Sequence, residues 1–212
     1  MSDLETRVKP EQTVLLLVDM QNDFCHREGA LNKAKEIVPY YSVEMIEATI
    51  PPMRKTLAAG REVGAKVVFV RSEYSDDIIS PVWKRRILGK ELRICQPGSW
   101  GADWYAVSPL PQETVVVKHR YSPFVNTALE TVLRANEIRT LIIVGNATNV
   151  CVESTARDAF MRDYDVVVPS DCVATSERSV HEHSLKNIGR HFGSVITSDE
   201  LLRAWKVTPH DG

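Results

Sequence analysis

Three residues far apart along this sequence carry side chains that together could do acyl-transfer chemistry: Asp19, Lys118 and Cys151. Each stands where a short apolar run stops. Asp19 follows Thr13–Val18 (TVLLLV), Lys118 follows 114–117 (TVVV), and Cys151 comes after 141–144 (LIIV), Gly145 and a polar link. Such runs suit strands buried on both faces. Beyond them Val152, Thr155, Ala156, Ala159 and Phe160 recur at helical spacing, so Cys151 falls where strand becomes helix. A thiol in a helix's first turn meets unpaired N–H groups and the positive end of a dipole, which favour thiolate. A carboxylate ending a buried strand is costly without a partner or a task. Position alone leaves plainer readings open: Cys151 as a small buried hydrophobe, Lys118 as a lysine reaching outward, and Asp23 as a competing acid that is solvated or capping.

If the three converge, they form a coupled set sharing one mobile proton. Asp19 takes the thiol proton, Cys151 attacks a carbonyl carbon, and Lys118 keeps the net charge near zero. No Cys–His pair offers itself, since His119 merely adjoins Lys118. Glu153 and Arg157 read as an i,i+4 helix pair rather than as catalytic groups.

The elements that must position these residues alternate. Strands are expected at 13–18, 66–71, 114–117, 141–144, 165–168 and 194–196. Helices are expected at 46–63, 127–135, after Cys151, at Arg178–His191 and at 199–205. Pro51 and Pro52 imply a break in the first of these, or a late start near Met53. Residues 1–12 read as a polar lead-in and 26–41 as loop. The long stretch 72–113 has no clean period, which marks it as a lid or an interface. It holds Trp83, Trp100 and Trp104; Trp100, with Gly98 and Gly101 beside it, is either a pocket wall or a staple to the surface. His181, His183 and His191 read as surface residues on one helix, since i and i+2 face different ways. The alternation predicts one α/β domain over 1–212 around a parallel sheet.

Composition narrows the partners. The 212 residues carry a formal charge of −2, with 43% hydrophobic and 25% charged residues. Without a basic block, nucleic acid and anionic membrane are poor partners. No run approaches the ~20 apolar residues of a membrane span, and the polar amino terminus is no secretory signal. Cys25, Cys95, Cys151 and Cys172 lie too far apart for a disulfide framework, which suggests reduced thiols in the cytoplasm. No CxxC or HExxH spacing points to zinc, and no cofactor is expected.

Three motifs then stand out: V-D-M-Q-N-D-F at 18–24, K-x-R-Y-S-x-F with N-T-x-L at 118–129, and G-x-A-T-N-V-C-V-E-S-T-A-R-D-A at 145–159. Together they resemble the isochorismatase-like cysteine hydrolases. The resemblance implies a three-layer α/β/α Rossmann-like fold with six parallel strands in the order 3-2-1-4-5-6, its ligand site where strands 1 and 4 meet. It also implies a catalytic trio of Asp19, Lys118 and Cys151, and an oxyanion hole from the backbone N–H groups of Ala147 and Cys151. A cis Asn146–Ala147 peptide is implied as well, although Asn146 stands where an apolar residue is often found. Nicotinamidases of this superfamily carry an Asp-x-His metal pair after the second strand. Residues 71–77 (RSEYSDD) have no histidine, which argues against nicotinamidase and against a metal. True isochorismatases cleave a vinyl ether and need no thiol, so Cys151 favours amide hydrolysis. With P-G-S-W-G at 97–101, the likeness is nearest to ureidoacrylate- and biuret-type amidohydrolases. The expected substrate is a small carbamoyl or ureido compound, held by Phe24, Trp100, Tyr121 and Phe124 and releasing ammonia or a carbamate. Arg71 and Arg120 are candidate partners for a substrate carboxylate, each equally able to pair with a surface acid. A vinyl-ether hydrolase, a nicotinamidase-like amidase and a silent binding protein of the same fold are the alternatives. The resemblance further implies a homo-oligomer, dimer or tetramer, with the tryptophan-rich segment as candidate interface.

Overall fold

In the computed structural model, which describes residues 3–85 and 92–207, the apolar runs pair side by side as a parallel sheet. Its strands are β1 (Thr13–Val18), β2 (Lys66–Ser72), β3 (Thr114–Lys118), β4 (Thr140–Asn146), β5 (Asp165–Pro169), β6 (Val173–Ala174) and β7 (Ser194–Ile196). The order is β3-β2-β1-β4-β5-β7, with β6 paired onto the end of β4 at Gly145 and Asn146. The expected 3-2-1-4-5-6 order is therefore present, its last strand being β7. The seventh strand, β6, is two residues long, too short to show a period in sequence.

Alternation along the strands feeds two cores. Leu15 and Leu17 of β1, Phe69 of β2 and Val144 of β4 point to one face, while Val14, Leu16 and Val18, Val70 and Ile143 point to the other. The first face is covered by α4 (Glu44–Glu62) and α9 (Ser198–Ala204) through Ile46, Met53, Leu57, Leu201 and Leu202. The second is covered by α6 (Leu129–Ala135), α7 (Glu153–Phe160) and α8 (Arg178–His191) through Leu129, Leu133, Ala156, Ala159 and Ile188. Three layers result. None of the described helices is long and apolar enough to cross a membrane.

Three local expectations are corrected. First, α4 runs unbroken through Pro51 and Pro52. Its buried stripe of Ile46, Thr49, Met53, Thr56 and Leu57 continues past both prolines. Pro51 itself is exposed, so a carbonyl left without its helical partner can be hydrated. Second, the amino terminus is docked, as α1 (Asp3–Arg7) and the turn after it. The Arg7 carbonyl accepts from Thr140 Oγ1, and the Val8 carbonyl accepts from Trp205 Nε1 at 2.8 Å. Third, of the two readings of Asp23, on the short helix α2 (Asn22–Cys25), capping holds and solvation does not, for the residue is buried. Its Oδ1 caps Ala30 at the start of α3 (Ala30–Lys33), and its Oδ2 accepts from the Cys95 N–H at 2.6 Å. Gly101 makes room for it, since a Cβ there would lie 2.0 Å from Asp23 Oδ2.

Candidate active site

The carboxyl ends of four adjacent strands deliver the polar residues in a row. Lys118 is the last residue of β3 and is in register with Ser72, the last of β2. Asp19 follows β1; its N–H still donates to the Val70 carbonyl, while φ turns to +54°. That left-handed conformation, which aspartate tolerates better than most residues, turns the chain out of the sheet. On β4, Gly145 lies against β1 with φ +120°, and a Cβ there would sit 2.1 Å from the Val18 carbonyl oxygen. Only glycine fits. The Asn146–Ala147 peptide is cis, and a π-type turn, Thr148–Val152, carries Cys151 into α7.

These residues converge. Lys118 Nζ lies 2.7 Å from Asp19 Oδ2, 2.9 Å from Ser72 Oγ, 3.2 Å from the Arg120 carbonyl and 3.4 Å from Cys151 Sγ. Ser72 Oγ donates to Asp19 Oδ1 at 2.9 Å and accepts from Tyr74 OH at 3.2 Å. Gln21 braces the group: it accepts the Ser72 N–H and donates to the carbonyls of Ser72 and Ala102. Asp19, Ser72 and Lys118 are almost wholly excluded from water. Asp19 Oδ2 has its ion pair but no aligned hydrogen bond.

Burial sets the charge state. It pushes the Cys151 thiol up to about 12, with the Lys118 ammonium opposing the rise and the Asp19 carboxylate adding to it. The N–H groups of the turn favour thiolate, and desolvation opposes them. Burial also works against the Lys118 ammonium, but Asp19 and Cys151 more than offset it and raise its pKa. Lys118 and Asp19 thus form an ion pair beside a thiol whose burial favours its neutral form.

Above it lies a cavity of about 220 Å³ whose lining includes Asp19, Phe24, Tyr41, Tyr74, Trp83, Tyr121, Asn146, Ala147 and Cys151. Phe24 and Tyr121 lie where the sequence suggested. Trp100 does not: it is 50% exposed and stands edge-on to His26, 5.1 Å between ring centres. Phe124 is drawn into the second core beside Tyr164, with Arg162 over its ring. Neither arginine lines the cavity. Arg71 pairs with Glu73 at 3.0 Å and lies over Trp104, and Arg120 donates to the carbonyls of Ile78 and His119. Two other tryptophans of the tryptophan-rich segment turn inward, Trp83 against Tyr74 and Trp104 against Phe69.

Sequence reasoning missed Ser72, Tyr74, Gln21 and Tyr41. Ser72 ends a strand next to Asp19's, the one signal that could have found it; Gln21 lay inside the first motif unremarked. His181 is also more than a surface residue. Its Nδ1 lies 2.9 Å from Thr148 Oγ1, fastening α8 to the turn that bears Cys151, and burial lowers its pKa. Glu153 forms the expected pair with Arg157 at 2.6 Å, and also accepts from Ser184 and Asn187 of α8. Among the described residues no three His, Cys, Asp or Glu side chains gather as a metal site would require.

A doubly wound parallel sheet with a polar set beneath a cavity at its strand ends is the build of an α/β enzyme acting on small molecules. Residues 13–200 match the isochorismatase domain model, and the chain belongs to that family of hydrolases. It is 35% identical over 218 aligned residues to the ureidoacrylate amidohydrolase RutB of Methylorubrum extorquens, covering 91% of this chain and 86% of the relative. Among solved structures it resembles a cysteine hydrolase from Pseudomonas syringae pv. phaseolicola 1448A, with a TM-score of 0.81 and 29% identity over 94% of this chain and 95% of that one. It also resembles the N-carbamoylsarcosine amidase of Thermoplasma acidophilum, with a TM-score of 0.70 and 30% identity over 89% and 97%.

Proposed function

We propose that this chain is a cysteine-dependent amidohydrolase that cleaves a linear C–N bond of a small carbamoyl or ureido compound through a thioester to Cys151. One arrangement carries the reading: Cys151 Sγ 3.4 Å from Lys118 Nζ, itself 2.7 Å from Asp19 Oδ2, at the base of a cavity. The relatives named for ureidoacrylate and N-carbamoylsarcosine support the substrate class.

The cycle starts from the neutral thiol. As an amide carbonyl reaches Cys151, Asp19 takes the thiol proton and Lys118 stabilises the new thiolate, so a charge pair is kept throughout. Sulfur bonds to the carbonyl carbon, and the backbone N–H groups of Ala147 and Cys151 hold the oxyanion. When the intermediate collapses the C–N bond breaks, the Asp19 proton passes to the leaving nitrogen, and ammonia or an amine departs. Water then gives its proton to Asp19 and its hydroxyl to the acyl carbon. The C–S bond breaks, sulfur recovers its proton, and the acid leaves; for a ureide this is a carbamate.

The test is an ammonia-release screen over biuret, ureidoacrylate-like compounds, N-carbamoyl amino acids and nicotinamide. Cys151→Ala should lose about 10³-fold or more in turnover with its fold intact, and quenched wild type should carry an acyl mass on the Cys151 peptide. Full amide turnover without the sulfur would end this reading. On the same reading the enzyme works in the cytoplasm, where its four thiols stay reduced, as a homo-oligomer that light scattering would reveal.

A further inference from the structure

The walls of the cavity bear on which ureide or amide it takes. Phe24, Tyr41, Tyr74, Trp83 and Tyr121 line it, and among the described residues no lysine, arginine or histidine does. Three cations near it among the described residues are engaged elsewhere. Lys118 lies beneath, its ammonium in contact with Asp19, Ser72, Cys151 and the Arg120 carbonyl. Arg71 is held by Glu73, and Arg120 by backbone carbonyls. Among the described residues the charged groups that line the cavity are both acids: Asp19 at the base and Glu177, which is exposed and accepts a hydrogen bond from Ser179.

A carboxylate entering such a space would exchange its hydration for aromatic walls, gain no counter-charge from the described residues and meet two like charges. A neutral group meets none of these penalties. One buried atom of a lining residue calls for a donor. Asn146 is 3% exposed and its Oδ1 has no hydrogen-bond partner, beside the turn that carries Cys151. An amide or ureide N–H would satisfy it.

We propose that the site takes a neutral ureide or amide with an aromatic or branched apolar body, its N–H directed at Asn146 Oδ1, and rejects free acids. The proposal rests on the amidohydrolase reading and narrows it. It keeps the carbamoyl group shared by the relatives named for ureidoacrylate and N-carbamoylsarcosine, but separates this chain from both, since each of those compounds is a carboxylate.

The experiment compares two ureas of matched shape, 4-isopropylbenzylurea and 4-carboxybenzylurea. Ammonia release is measured with wild type and Glu177→Gln, and binding to Cys151→Ala by calorimetry. The neutral urea should show kcat/KM higher by about tenfold or more. Glu177→Gln should raise kcat/KM for the acid by roughly two- to threefold, the screened repulsion of one exposed charge. An acid that turns over or binds as well as its neutral partner overturns the proposal. An acid rate unmoved by Glu177→Gln overturns the part given to Glu177. If neither urea releases ammonia but Cys151→Ala still binds the neutral one at least about tenfold tighter, the amidohydrolase reading fails while the selectivity stands. Binding of neither overturns the selectivity as well.

Discussion

The base of the cavity and its walls are built by different means. The base is four strand ends: Lys118, Ser72, Asp19 and Asn146 take their places from sheet register, and a parallel sheet buried on both faces leaves little freedom there. The walls come from four connecting stretches, contributing Phe24 and Tyr41, Tyr74 and Trp83, Tyr121, and Glu177. Register holds polar atoms at fixed distances, which suits the shared chemistry of a family. Loops accept substitution at little penalty to the fold, which suits a choice of substrate. Changes at the base should therefore remove stability or turnover, and changes in the walls should alter which molecule binds.

Lys118→Met should have the largest effect. It leaves the Asp19 carboxylate buried without its cation, a change that typically destabilises by ~3–5 kcal/mol. Melting should fall by roughly 10 °C or more for a chain of this size, and ammonia release should vanish. A variant as stable as wild type would mean that water reaches Asp19, and the base would lose its distinction from the walls.

Ser72→Ala removes the hydroxyl shared by Lys118, Asp19 and Tyr74. Leaving buried partners unsatisfied costs about 1–3 kcal/mol. If that is expressed in the transition state, kcat falls roughly ten- to a hundredfold with KM little changed. A change confined to KM would move Ser72 to the binding side of the comparison. Trp83→Leu, in the wall, should do the reverse: about a tenfold rise in KM from lost apolar contact, with kcat near that of wild type.

The same division explains what could be read in advance. Asp19, Lys118 and Cys151 each follow a short apolar run, so strand ends located them, and β1 and β7 have the bounds their sequence suggested. Trp100 and Phe124 were assigned to the cavity by composition and motif, yet one stands half exposed and the other faces the second core. No period in 72–113 tells which way a tryptophan turns, and the packing of Trp83 on Tyr74 is set by tertiary contact alone. Pro51 and Pro52 misled for a related reason: the penalty of a helical proline depends on which face it occupies, and that face is fixed by the core. The pull of the turn on Cys151 is local and legible in sequence, whereas its desolvation is the work of the whole site.

That charge state has a thermodynamic signature. A thiol that titrates near 9 in the unfolded chain and at about 12 in the folded one keeps its proton longer when folded. Between those values the unfolded state binds fewer protons, so stability falls as pH rises, by at most about 1.4 kcal/mol per pH unit for one group. The contribution is fully present below pH 9. Cys172, buried and also pushed up to about 12, adds a similar slope, so the informative quantity is a difference between proteins. Denaturant unfolding of wild type and Cys151→Ala at several pH values from 8 to 10.5 should show wild type losing stability faster above pH 9, by close to one group's slope. Were Cys151 a resting thiolate, its folded pKa would lie below 9 and it would add no loss above that pH. Parallel curves above pH 9 would therefore restore the thiolate and place the turn's N–H groups, rather than burial, in control of the sulfur.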